Sequence, residues 1–187
     1  MPSVAHELGN RVAVVGTTGS GKTTLAGALA TSLDRPHVEL DALHWEPDWQ
    51  EASVEVFRER VAEALNGSHW IVDGNYGQVR DIVWARADTI VWLDYPLRVI
   101  LARLVRRTIR RVITREELWN GNRERWRDQL SRDSIVLYAL RTYRARRREY
   151  AELIGHPEHG HLRTVRLRSP RAADAWLRGL TEQPLPA

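Results

Sequence analysis

The chain contains a single lysine, Lys22, and it lies in Gly16-Thr17-Thr18-Gly19-Ser20-Gly21-Lys22-Thr23. This spacing is G-x-x-x-x-G-K-[ST], the pattern of a loop that cradles phosphates. The residue types follow from that task. The glycines let backbone amides approach an anion closely. A lysine ammonium is a compact charge that reaches between two phosphates, whereas a guanidinium is a planar fork too bulky to lie along the cradle. Lys22 would reach the β and γ phosphates, and the Thr23 hydroxyl would serve Mg²⁺. Thr17, Thr18, Ser20 and Thr24 complete the nucleotide-binding stretch.

A second set of residues could act on whatever receives or loses the phosphate. Leu40-Asp41-Ala42-Leu43-His44-Trp45 offers Asp41 to bind an acceptor hydroxyl and take its proton. The alternative for Asp41 is a helix cap or loop hydrogen bond. His44 and Trp45 are candidate substrate contacts, and Trp45 and Trp49 read equally as core or pocket wall. Val72-Asp73-Gly74-Asn75-Tyr76 offers Asp73 for a Mg²⁺-bound water or, as the alternative to Asp41, to bind and deprotonate the acceptor. Gly74 allows a close turn there. Asn75 could donate to an acceptor or phosphate, and Tyr76 is a candidate substrate contact. Arg80 could bind an anionic acceptor, or form an ion pair with Asp81 or a neighbour.

Arginine supplies every other long cationic side chain, and its distribution is uneven. Residues 1–97 carry 7 basic and 14 acidic side chains, residues 98–148 carry 16 and 5, and residues 149–187 carry 5 and 5. On a helix starting at Leu97, the stripe Leu97, Leu101, Leu104 and Thr108 should face the core. Arg103, Arg107 and Arg111 then lie four apart on one flank. If that helix packs beside the phosphate loop, Arg103 and Arg107 would meet the charge of a phosphoryl transition state. The polar stretch 112–124 reads as a lid, with Arg115 and Arg123 as its phosphate ligands, or as a plain interhelical loop.

The elements that must hold these residues alternate. Strands are expected over 11–15, 38–41, 70–73, 89–94 and 162–167, and helices over 21–33, 54–65, 79–85, 97–112, 125–154 and 170–180. This pattern implies a parallel sheet with helices on both faces. Asp41, Asp73 and Asp94 would each close a strand, at the sheet edge where such folds bind ligands. The expected organisation is one domain over 1–187, with an acceptor-side segment at about 41–68.

Composition narrows the function. The 187-residue chain is long enough for one core and has no cysteine, so disulfides, thiolate metal sites and cysteine nucleophiles are excluded. No apolar run approaches the roughly 20 residues of a membrane helix, and a soluble cytoplasmic protein is expected. Lys22 is already committed, so the guanine-reading Asn-Lys-x-Asp of GTPases cannot occur. No strand-end aspartate is followed by glutamate, and no Leu-Ser-Gly-Gly-Gln stretch exists. A small phosphotransferase or an ATP-driven switch remains, the latter with nucleic acid as a possible partner of the basic segment 98–148. Oligomeric state is not legible.

Over about 12–148, the order of these motifs resembles the adenylate-kinase-like proteins called DNA topology modulation proteins. The resemblance rests on the phosphate loop, Leu-Asp-x-Leu-x-Trp, Trp-Ile-Val-Asp-Gly-Asn-Tyr, Ala-Asp-x-Ile-Val-Trp-Leu-Asp and the arginine-rich helix. It implies a three-layer α/β P-loop NTPase fold, with a five-stranded parallel sheet and a helical lid. It also implies ATP and Mg²⁺ as cofactors and a kinase-like activity on a small molecule or nucleotide. Related kinases hold adenine at the turn after the last strand, which puts Arg168 and Pro170 near the base. Asp73-Gly74 is similar to the Asp-Gly of adenylate kinase, but Asn75-Tyr76-Gly77 stands where that enzyme has Phe-Pro-Arg. Asp41-Ala-Leu-His44 is similar to the acceptor stretch of gluconate kinase.

Overall fold

Three short apolar runs become the centre of a sheet because helices cover them on both sides. In a computed structural model, which describes residues 8–114, 117–122 and 135–181, these are β1 (Arg11–Gly16), β3 (Trp70–Asp73) and β4 (Thr89–Leu93). The edge strands are β2 (His37–Glu39) and β5 (Arg163–Leu167). The five strands run in the order β2-β3-β1-β4-β5, and every pairing is parallel. β3 and β4 are buried throughout, while β5 is largely exposed and buries only Leu167. That contrast separates strands covered on both faces from strands at an edge.

Alternate residues of β1 feed opposite cores, as strand geometry requires. Val12 and Val14 pack with Leu25 and Leu29 of α1 (Lys22–Leu33), and with Ile100 and Leu104 of α5 (Leu97–Thr114). Leu180 of α7 (Pro170–Thr181) joins them. Ala13 and Val15 face Phe57 and Val61 of α3 (Val54–Ala64) and Trp84 of α4 (Arg80–Arg86). Phe57 and Leu29 are fully buried; truncating either to alanine would cost about 2–5 kcal/mol.

Two features position the site. The first is α6 (Ile135–Ile154), which enters the first core at Ala139 and Tyr143 and the second at Tyr150. It therefore links the two layers. The second is the end of β2. The strand stops at Glu39, and Leu40 begins a short helix, α2 (Leu40–His44). Asp41 is thus on the first turn of a helix, not at a strand end as its sequence suggested. The cause is packing: Leu40 is buried against Gly74, whose φ is 148°, and a Cβ on Gly74 would stand 2.6 Å from Leu40 Cβ. Among the described residues, no helix is long and apolar enough to cross a membrane.

Candidate phosphate and acceptor site

The loop between β1 and α1 folds on itself through Ser20 N donating to Thr17 O at 3.0 Å. Gly21 caps α1 with φ 91°, and a Cβ there would lie 2.5 Å from Arg103 Nη1. The start of α1 has no side-chain cap and no acidic residue in its first turn. Its first amides and the positive end of its dipole are thus left for an external anion, which is the electrostatics a phosphate requires.

Thr23 Oγ1 donates to Asp73 Oδ2 at 2.7 Å, and His37 Nε2 meets Asp73 Oδ1 at 2.9 Å. Thr23 spends its proton on Asp73 and keeps its oxygen lone pairs, which suits a hard cation such as Mg²⁺. The hydrogen bond to Asp73 holds the His37 imidazole above its ordinary value, against the effect of burial. Burial lowers the Lys22 ammonium from its usual value. Asp73 and Asp41 act on it in the opposite sense, and Arg107 and Arg146 add to the lowering. The lysine thus lies between an acidic wall and a basic one.

The acidic wall begins at Asp41. Tyr76 Oη donates to Asp41 Oδ1 at 2.6 Å. Burial, the Asp41 charge and this bond hold the phenol far above its usual value, so Tyr76 stays a donor. Asp41 Oδ2 remains for another partner. His44 is buried in a ring cluster, 4.4 Å from Tyr76 and 4.9 Å from both Trp45 and Phe57 between centroids. Trp45 and Trp49 meet edge to face at 5.5 Å.

Segment 117–122 lies against this wall. Trp119 Nε1 donates to Glu39 Oε2 at 2.9 Å, and Asn120 donates to the Trp45 carbonyl. Asn122, buried, accepts from Trp49 N at 2.8 Å and donates to the carbonyls of Glu46 and Trp119. The segment read as a lid is here fastened to the acceptor-side loop. Arg115 and Arg123 lie outside the described residues.

The basic wall comes from α5 and α6. Arg103 Nη1 donates to Ser20 O at 2.7 Å and its guanidinium lies 5.4 Å from the Tyr95 ring centroid, so it braces the loop from behind. Arg107 and Arg111, one and two turns later, line the cleft with Arg146 of α6. The cleft has a volume of about 920 Å³, within the usual range of small-molecule sites. One continuous lining includes Thr17, Thr18, Gly19, Gly21, Lys22, Thr23 and Thr24 at one end and Asp41, His44, Trp45, Gly74, Asn75 and Tyr76 at the other.

The comparisons with known proteins agree with this geometry. Residues 12–94 match the family described as ATPase family associated with various cellular activities (AAA). No curated protein matches the chain. Among solved structures, a gluconokinase from Sinorhizobium meliloti is similar at a TM-score of 0.50 and 21% identity, covering 92% of this chain and 94% of that one. A shikimate kinase from Bacteroides thetaiotaomicron gives 0.51 and 16%, covering 92% and 96%. A shikimate kinase from Acinetobacter baumannii, in complex with shikimate, gives 0.50 and 21%, covering 95% and 94%. The chain has the kinase-type P-loop NTPase fold.

Within this fold several expected contacts are redirected. Arg80 pairs with Glu149 at 2.7 Å and lies 5.9 Å from the Trp84 centroid, so it does not face the cleft as an anion ligand. The Asn75 side chain donates to the Gly16 carbonyl and accepts from Tyr150 Oη at 2.6 Å. It ties the loop to α6 and is not a donor held in reserve for a substrate. Asp94 is clamped by Arg147 at 2.6 Å and Arg166 at 2.6 Å, apart from the other carboxylates. Arg168 and Pro170 stand at the end of β5 and the start of α7, where Ser169 Oγ caps the helix, and neither lines the cleft. Sequence reading missed Tyr138, Thr142 and Arg146, which line it from α6. Their spacing of four was the available signal. Glu39, Glu51 and Trp119 had none, because only long-range packing brings them to the cleft.

Proposed function

We propose that this chain is an ATP- and Mg²⁺-dependent phosphotransferase acting on the hydroxyl of a small molecule. One observation carries the reading: the phosphate loop and a carboxylate fit to serve as base, Asp41, line one cleft. Lys22 and the first amides of α1 hold the β and γ phosphates. Thr23, with Asp73 behind it, would hold Mg²⁺, which would supply charge neutralisation for the phosphates. As the resemblance to related kinases implies, the adenine would lie outside the cleft lining, against the turn at Arg168 and Pro170. Asp41 Oδ2 takes the acceptor's proton while Tyr76 holds Oδ1. The acceptor oxygen bonds to the γ phosphorus, the bridging P–O bond breaks, and ADP leaves. Arg107, Arg111 and Arg146 offset the charge that spreads over the equatorial oxygens, with Arg115 and Arg123 of the lid joining them.

The similar folds of a gluconokinase and of shikimate kinases support a kinase over a bare switch. The motif order that resembles the DNA topology modulation proteins fits the same reading. Within the basic segment, Arg103, Arg107, Arg111, Arg146 and Arg147 serve the loop, the cleft and Asp94. That favours phosphate chemistry over a nucleic-acid surface. The test is a screen of hydroxylated metabolites, nucleosides and nucleoside monophosphates. It follows ADP release together with ³¹P detection of a phosphorylated product. One acceptor that raises ADP release and yields product is the expected result. Release unchanged by every acceptor, with only inorganic phosphate formed, would overturn the assignment.

A further inference from the structure

The two walls of the cleft differ in charge, and the difference points to a class of acceptor. The acceptor side presents Glu39, Asp41 and Glu51 together with the rings of Trp45, Trp49 and Tyr76. Among the described residues from Glu39 to Arg80 there is no lysine, and the three arginines are occupied elsewhere. Arg58 forms two bonds to Asp81, at 2.8 and 2.7 Å. Arg60 pairs with Glu46 at 2.7 Å and donates to the Leu43 carbonyl. Arg80 pairs with Glu149 at 2.7 Å. None of the three lines the cleft.

Of the acidic side chains of this wall, Asp41 acts on the buried Lys22, and Glu39 and Glu51 form no ion pair with an arginine or lysine among the described residues. Among the described residues, Glu39 accepts from Trp119, Asp41 accepts from Tyr76, and Glu51 Oε1 lies 3.9 Å from His44 Nε2. Among the described residues, no arginine or lysine forms an ion pair with any of them. A carboxylate held on this wall would meet three like charges. At about 4 Å, like charges repel by several times thermal energy at the effective dielectric of a protein surface. The edge-to-face pair of Trp45 and Trp49 forms an aromatic corner beside these carboxylates. A ring face next to an acid is the usual chemistry for holding an ammonium group. His44, its side chain 5% exposed on the same wall, has no hydrogen-bond partner at Nδ1. An N–H donor would satisfy that nitrogen when unprotonated.

We propose that the acceptor is a hydroxylated amine, carrying an ammonium group that sits between the Trp45–Trp49 corner and the carboxylates of Glu39 and Glu51. This rests on the phosphotransferase reading. The hydroxyl faces Asp41 and the γ phosphate, and the ammonium points away from the arginine wall. The polyanionic nucleotide and the cationic acceptor are thereby sorted to opposite ends of one cleft.

The test uses the full chain with ATP and Mg²⁺ and compares glucosamine, ethanolamine, choline and kanamycin with glucose, gluconate and shikimate. Transfer to an amine should exceed transfer to its uncharged or acidic counterpart by at least about tenfold in kcat/KM. Glu51→Gln should raise KM for the amine about fivefold and change KM for glucose far less. Equal or better transfer to glucose, gluconate or shikimate would overturn the ammonium assignment and leave the phosphotransferase standing. Absence of any phosphorylated product would sink the phosphotransferase itself. In that event calorimetric binding of choline to the protein loaded with a non-hydrolysable ATP analogue still decides the subsite. Binding that Glu51→Gln weakens supports it, and no heat of binding refutes it.

Discussion

At the phosphate end of the cleft, eight consecutive residues, Gly16 to Thr23, supply the loop, the ammonium and the hydroxyl. At the acceptor end, Asp41 is held by Tyr76, 35 positions away, and Glu39 by Trp119, 80 positions away. The first end works largely through backbone amides and a helix terminus, so its chemistry is fixed by chain conformation. The second works through side chains brought together by packing, so its chemistry can change with single substitutions. Changes at the phosphate end should therefore abolish turnover with every acceptor. Changes at the acceptor end should act on one step, or on one class of acceptor.

The sharpest test of that division is Lys22→Ala. Phosphoryl-transfer enzymes owe about 10³-fold or more to a cation at the transferring group, and no second lysine exists to replace this one. Turnover should fall by at least about 10³-fold. Burial already works against the Lys22 charge, so thermal stability should hold or rise slightly. Steady-state ADP release and a circular-dichroism melt measure the two quantities. Residual transfer above a tenth of wild type would mean that the loop binds nucleotide without driving the chemistry.

Asp41→Asn comes next. It keeps the shape of the side chain and removes the base, so kcat should drop on the order of 10²-fold. Affinity for a non-hydrolysable ATP analogue, read by calorimetry, should change little. If nucleotide affinity collapses instead, Asp41 belongs to the phosphate end and the division between the two ends fails.

The contrast also explains what could be read from the chain alone. The five strands, their parallel order of alternation with helices and the phosphate loop were legible because each is a local pattern: an apolar run, a repeat of four, a glycine motif. Arg107 was legible because helical phase set it on the flank beside the loop. The partners of Arg80 and Asn75, Glu149 and Tyr150, were not legible because they lie 69 and 75 positions away on α6. No local feature announces such a pairing. Asp41 was assigned correctly to the carboxyl edge but to the wrong element. Periodicity over four residues cannot distinguish a strand end from the first turn of a helix, and the close packing of Leu40 on Gly74 decides it.

Tyr76→Phe tests the acceptor end at a finer scale. The phenol donates to a charged carboxylate at 2.6 Å, and such a bond contributes about 1.5–3 kcal/mol. Removing it frees Asp41 to rotate without removing the base. The expected result is about a tenfold loss in kcat with affinity for a non-hydrolysable ATP analogue unchanged. A purely structural role for Tyr76 would lower stability and leave kcat in place.

The smallest effect on catalysis is expected at Asp94, the strand-end carboxylate that serves neither end of the cleft. Burial pushes this group upward, but Arg147 and Arg166 outweigh burial and hold it below the ordinary 3.8. A depressed carboxylate contributes stability above its unfolded value and loses that contribution as pH falls toward its folded one. The ion pairs should therefore hold the end of β4 to α6 and β5 at neutral pH, and fail progressively below about pH 3.8. Asp94→Asn should lower stability at pH 7 by about 1.5–3 kcal/mol, the range for a hydrogen bond to a charged group. It should also flatten the acid limb of a urea-unfolding series. An acid limb as steep in the variant as in the wild type would assign acid sensitivity to other carboxylates. A large fall in kcat would place Asp94, through α6 and Arg146, in service of the cleft after all.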